Sequence, residues 1–207
     1  NKGGEIIAGQ PTYLALMNYA EEWGGKIKWV PVDSDKGYDL DKIEKTIDSN
    51  TRMVFIANPN NPTGTLLDKN ALSVFCEKIS EKTLVFCDEA YYDYISDPTY
   101  PSMDYLIREN KNIIVSRTFS KVYGMAGLRI GYMVLKPELA DQLFGEYSPY
   151  GRSKIMAQTN VLAVAAATEA LKDNEFYTFS LEKANQEKDK IYKLLDHLKL
   201  KYVKSST

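Results

Sequence analysis

Short apolar runs alternating with helix-length segments set the architecture open to this 207-residue chain. Glu5 to Ala8, Ile27 to Val32, Met53 to Ala57, Leu84 to Cys87, Ile113 to Ser116 and Ile130 to Leu135 read as strands, each a brief β-rich stretch with little polar interruption. Between them, Thr12 to Trp23 reads as a helix stopped by Gly24-Gly25. Asp39 to Ile47 reads as a helix that Asp39 can cap, and Asp68 to Ser80 as another. Strands without polar alternation are buried on both faces, which requires helices above and below a mostly parallel sheet. The expected fold class is α/β, a three-layer α/β/α sandwich.

Two longer helices are expected towards the end of the chain. Ile155 to Leu171 is alanine-rich and apolar on most sides, which predicts a helix packed deep among others. Asn174 to Leu198 is heavily charged but carries Phe176, Phe179, Ile191, Leu194, Leu195 and Leu198 on what reads as one stripe. Residues 1–174 are therefore expected to form one large domain lacking its N-terminal part. Residues 175–207 are expected to hold a connecting helix and the start of a second, smaller domain. The first residues show no basic stretch leading into an apolar one, and Lys201 to Thr207 reads like a strand that stops. A piece of a longer polypeptide is expected.

Composition removes several function classes. With 26 Lys and Arg against 28 Asp and Glu, the net charge is −2, a balance unlike that of a general nucleic-acid or membrane-surface binder. Hydrophobic residues make up 44% of the chain, enough for a real core and too many for a disordered tail. No apolar run approaches the roughly 18 residues of a membrane span. Cys76 and Cys87 form no CxxC pair, and His197 is the single histidine, so neither a zinc site nor a histidine-rich metal site is indicated. His197 reads as a surface residue and Cys87 as a small buried one.

Ligands in open α/β sheets bind beyond the carboxyl ends of the strands. Three stretches there carry chemistry: Asn58 to Gly64, Asp88-Glu89-Ala90-Tyr91, and Ser116 to Lys121 with Arg129 beyond it. Each alone has an ordinary explanation. Asn, Pro and Gly are turn residues, an aspartate at a strand end often caps a helix, and a lysine is by default solvated. Neither a GxxxxGK[ST] nor a GxGxxG phosphate loop is present. The tyrosines around Tyr92, Tyr94, Tyr100 and Tyr105 read equally as a dimer contact or a folded surface loop.

Taken together, Pro11-Thr12-Tyr13, Asn58 to Gly64, Asp88 to Tyr91 and Ser116 to Tyr132 resemble the fold-type-I pyridoxal-phosphate (PLP) enzymes. Within them they are most similar to class I and II aminotransferases of the histidinol-phosphate aminotransferase branch. That resemblance implies a PLP cofactor held by Lys121 as a Schiff base, with Lys121 also shuttling the proton. It implies that Asp88 sits against the pyridine nitrogen, and that Asn61 and Tyr91 bond the ring oxygen. Tyr13 would stack on the ring, while Arg129, Thr118 and Ser120 would hold the phosphate. A cis Asn61-Pro62 peptide, a homodimer and a cytoplasmic setting are implied in the same way. The implied reaction moves an amino group between an amino acid or histidinol phosphate and 2-oxoglutarate. The resemblance leaves two rivals open, a decarboxylase of the threonine-phosphate type and a PLP-binding regulatory module.

Overall fold

The computed structural model describes residues 4–144 and 159–207. Its centre is a six-stranded sheet in the order β2-β1-β3-β4-β5-β6. The strands are β1 (Glu5–Gln10), β2 (Lys26–Pro31), β3 (Thr51–Ala57), β4 (Leu84–Asp88), β5 (Ile113–Thr118) and β6 (Gly131–Leu135). Five run parallel, and β6 alone pairs antiparallel, along β5. This is the α/β architecture expected from the apolar runs. Because β6 is reversed, its first residue, Gly131, lies opposite Thr118 at the carboxyl rim of the parallel strands. Arg129 is thereby delivered to the same rim as Asp88.

Helices cover both faces. On one, Ile7, Val54, Ile56, Val85 and Val115 pack with Ile43 of α2 (Leu40–Thr46) and with Leu72, Phe75 and Ile79 of α3 (Lys69–Ile79). On the other, Ala8, Phe55 and Ala57 pack with Met17 of α1 (Ala15–Glu22). Alternate residues of β1 and β3 thus enter different cores, the reason those strands carry almost no polar residues. Asp39 and Asp68 cap α2 and α3 through their carboxylates, accepting from Lys42 N and from Asn70 N and Ala71 N. The five-residue α4 (Asp104–Arg108) and α5 (Pro137–Phe144) lie where no helix was expected.

Three expectations need correction. The first helix starts at Ala15, not Thr12, because Thr12 uses its hydroxyl in a buried network described below. The first part of the 155–171 helix lies outside the described residues, and its described part, α6 (Val161–Ala170), is not packed deep. Only Ala163 and Ala167 are buried, whereas Val161 is 78% and Leu162 76% exposed. Among the described residues, the side of the helix that is covered carries alanines. Tyr100 is no surface residue. It is buried, accepting from Asn58 Nδ2 at 2.7 Å and donating to the Leu67 carbonyl at 2.9 Å.

Helix α7 (Asn174–His197) has no buried residue, and Phe179, Ile191, Leu194 and Leu198 of its stripe are all more than half exposed. Near its start, Tyr177 meets the Tyr123 ring at 5.7 Å and donates to Asp93 at 3.1 Å. The helix therefore braces the loop that follows β5. Cys76 and Cys87 are free, buried and 3.8 Å apart at sulfur, and His197 is exposed at the end of α7. Among the described residues no helix is long and apolar enough to cross a membrane, and no His, Cys, Asp and Glu cluster could hold a metal.

Candidate active site

A cavity of about 220 Å³ opens at the carboxyl rim of the parallel strands. Its walls include Tyr13, Asn61, Asp88, Tyr91, Thr118, Ser120, Lys121 and Arg129, the eight residues singled out from the sequence. Ala57, Pro59, Ala90, Ser116 and Arg117 complete it, and none of these five had been assigned a part. Ser116 and Arg117 had a legible signal, since both lie inside the stretch that ends in Lys121.

Asp88 is the last residue of β4 and Ser116 is its register partner on β5. Both hydrogen bonds to the carboxyl fall on Oδ1, from Ser116 Oγ at 3.0 Å and from the Ala90 amide at 3.2 Å. Desolvation pushes this carboxyl above its ordinary value, while Ser116, Ala90 and the charge of Lys121 pull against it. A carboxyl in the wall of a cavity is a receptor for a cation or a protonated ring nitrogen, whose approach favours the ionised form.

Lys121 follows β5 and holds its Nζ 4.9 Å from the centroid of the Tyr91 ring, within the range of a cation–π contact. Tyr91 in turn accepts from Asn61 Nδ2 at 3.4 Å. Asn61 reaches the cavity because its loop is pinned on both sides. Asn58 N donates to the Asp88 carbonyl, and Gly64 N donates back to the Asn60 carbonyl. The Asn61-Pro62 peptide is cis, as are Gln10-Pro11 and Asn58-Pro59, the last two not anticipated from sequence.

Arg129 closes the single turn of 3₁₀ helix Ala126–Leu128 and sits at φ 52°, ψ 54°, in the left-handed region that non-glycine residues avoid. Its Nη1 donates to the Ala126 carbonyl at 2.9 Å. A guanidinium held on strained backbone at a cavity mouth is the kind of outlier that function maintains. Arg117, also in the wall, commits its guanidinium elsewhere. Its Nε and Nη2 reach Glu89 Oε2 at 2.8 and 2.7 Å, and its guanidinium carbon lies 3.9 Å from the Tyr92 ring centroid. Glu89, only 4% exposed, also accepts from Ser102 Oγ and Met103 N.

The donor set fits a flat, phosphorylated heterocycle carrying an aldehyde: an acid, an amine, an aromatic face, amide and phenol donors, and a guanidinium with Thr118 and Ser120 beside it. A family model described as aminotransferase class I and II matches residues 1–207. The chain belongs to that family. It is 39% identical over 204 residues to histidinol-phosphate aminotransferase of Moorella thermoacetica, covering 98% of this chain and 51% of that protein. It is 43% identical over 204 residues to histidinol-phosphate aminotransferase 1 of Cupriavidus pinatubonensis, covering 99% and 52%. Among solved structures, histidinol-phosphate aminotransferase of Sinorhizobium meliloti in complex with pyridoxal-5′-phosphate superposes with a TM-score of 0.84 at 27% identity, over 99% of this chain and 54% of that one. This aminotransferase chain thus spans about half the length of the curated relatives it matches.

Proposed function

We propose that residues 1–174 form the cofactor-binding domain of a PLP-dependent aminotransferase acting on an amino acid or histidinol phosphate with 2-oxoglutarate as acceptor. Residues 175–207 then lead into a second domain, and two copies assemble. The observation that carries the reading is the convergence of Asp88, Lys121 and Arg129 on one cavity. PLP when bound supplies an electron sink for charge released at a substrate carbon.

The chain's own residues do the rest. Lys121 would offer Nζ to the aldehyde carbon and would later carry a proton on that same atom. Asp88 would set its carboxylate against the pyridine nitrogen and hold a proton on it. Asn61 and Tyr91 donate to the ring oxygen, Tyr13 covers one face, and Thr118 and Ser120 add hydroxyls for the phosphate. Arg129 offers the planar fork that a phosphate accepts in bidentate fashion.

The test is titration with PLP followed by visible absorbance, in the wild type and in Lys121→Ala. A visible band that Lys121→Ala lacks supports the reading, and an identical spectrum in both defeats it. Amino-group transfer from histidinol phosphate to 2-oxoglutarate is then assayed directly. Release of CO2 with no oxo product would move the reaction to decarboxylation.

A further inference from the structure

Beside the cavity lies a buried hydroxyl cluster whose three side chains are not among the residues that line it. Thr12 Oγ1 and Tyr38 Oη lie 2.6 Å apart, and each donates to Asn60 Oδ1, at 3.0 and 2.7 Å. The amide end of Asn60 is also used, with Nδ2 donating to the Pro11 carbonyl at 3.1 Å and to Thr63 Oγ1 at 2.9 Å. All three side chains are buried, Thr12 at 5%, Tyr38 at 5% and Asn60 at 4% exposure. Two hydroxyl protons must serve three short contacts, so each bond depends on where the others point.

The neighbours of these residues give the cluster its meaning. Thr12 immediately precedes Tyr13, and Asn60 immediately precedes Asn61, both of which line the cavity. The two come from the segments that follow different strands, β1 and β3, and Tyr38 arrives from the loop between β2 and α2 to join them. Space for its ring is kept at Gly9, where an added Cβ would run into ring carbons Cδ1 and Cε1 of Tyr38. Burial pushes the Tyr38 phenol up to about 12, so it stays a donor at working pH.

We infer that Tyr38 is a positioning residue: through Thr12 and Asn60 its hydroxyl fixes the aromatic cover, Tyr13, and the ring-oxygen donor, Asn61, relative to one another. This rests on the PLP reading of the cavity. Without the Tyr38 hydroxyl the two arms of the site lose their common reference, while the core under the ring stays filled.

The experiment compares wild type, Tyr38→Phe, Thr12→Val and Thr12→Ser by PLP titration, by the pH midpoint of the visible band and by thermal unfolding without PLP. A wild type that binds no PLP defeats the functional reading itself, whatever the variants do. Given a wild type that binds, Tyr38→Phe and Thr12→Val are each expected to raise the dissociation constant roughly tenfold and to shift the pH midpoint. Their double variant should fall short of the sum. Thr12→Ser, which keeps the hydroxyl, should restore wild-type values. Should Tyr38→Phe and Thr12→Val lower the unfolding temperature yet leave affinity and pH midpoint at wild-type values, the cluster is merely structural and the inference is overturned. Should Tyr38→Phe fail to fold, Thr12→Val against Thr12→Ser decides by the same readouts.

Discussion

Ser116 Oγ donates to Asp88 Oδ1 at 3.0 Å across a parallel pair in which the two residues are register partners. The bond ties the partly buried acid to the strand that runs on towards Lys121. Burial raises the Asp88 carboxyl, and the Ser116 hydroxyl, by bonding the ionised form, opposes that rise. In Ser116→Ala the carboxyl is expected to climb further. The acid limb of the activity–pH profile should move to higher pH, and PLP affinity near pH 6 should fall by about tenfold, since a hydrogen bond to a charged group contributes about 1.5–3 kcal/mol. Ser116→Thr should keep the wild-type profile. An unshifted acid limb in Ser116→Ala would remove Ser116 from this role.

Asp88 also makes the ligand-free protein less stable than it could be. Its native pKa lies above the ordinary 3.8, so its contribution to stability is fully present below that value and is lost as pH rises through the raised native pKa. Asp88→Asn cannot ionise and escapes the loss. In urea unfolding without PLP, Asp88→Asn should exceed wild type in stability near neutrality, and the two should converge below about pH 4. A difference independent of pH would show that desolvation of this carboxyl is not the cause.

The ion pair of Glu89 with Arg117 locks the end of β4 to the end of β5 and holds Ser102 and Met103 of the intervening segment. Both partners are shielded from water, so removing one strands the charge of the other. Glu89→Gln is expected to cost about 3 kcal/mol, or roughly 6–12 °C in unfolding temperature for a chain of this size. Glu89→Gln combined with Arg117→Met leaves no stranded charge and should recover much of that loss. If the double variant is less stable than Glu89→Gln alone, the contribution of Arg117 is packing on Tyr92 and not charge.

The sheet and the rim of chemistry-bearing residues were legible because they depend on local pattern. An apolar run marks a strand, and the polar residue that ends it, as Asp88 does, marks the rim. Tyr38, Thr12 and Asn60 were not legible, since their bonds join residues 22 to 48 positions apart. Thr12 misled for a related reason: it opens a stretch with a helix-like pattern, and only the fold reveals that its hydroxyl is engaged elsewhere. Helix α6 misled because a segment apolar on nearly every side has no face from which to read what it packs against. The five residues of α4 are too few to display a helical period.

Arg129 sets backbone strain against ligand binding, and the two can be separated. A non-glycine residue in the left-handed region costs about 1–2 kcal/mol, and Arg129 occupies it at φ 52°. Arg129→Gly relieves the strain but adds freedom to the unfolded chain, worth about 0.5–1 kcal/mol in the opposite sense. Its denaturation midpoint without PLP should therefore equal or exceed that of wild type. Affinity for PLP should nevertheless fall by about ten- to a hundredfold, the range for losing hydrogen bonds between charged partners. Affinity for pyridoxal, which has no phosphate, should stay unchanged. Arg129→Lys keeps the charge, loses the fork and retains the strain, so it should bind PLP more weakly than wild type without any gain in stability. Equal losses for PLP and pyridoxal in Arg129→Gly would mean that the guanidinium shapes the cavity and does not read the phosphate.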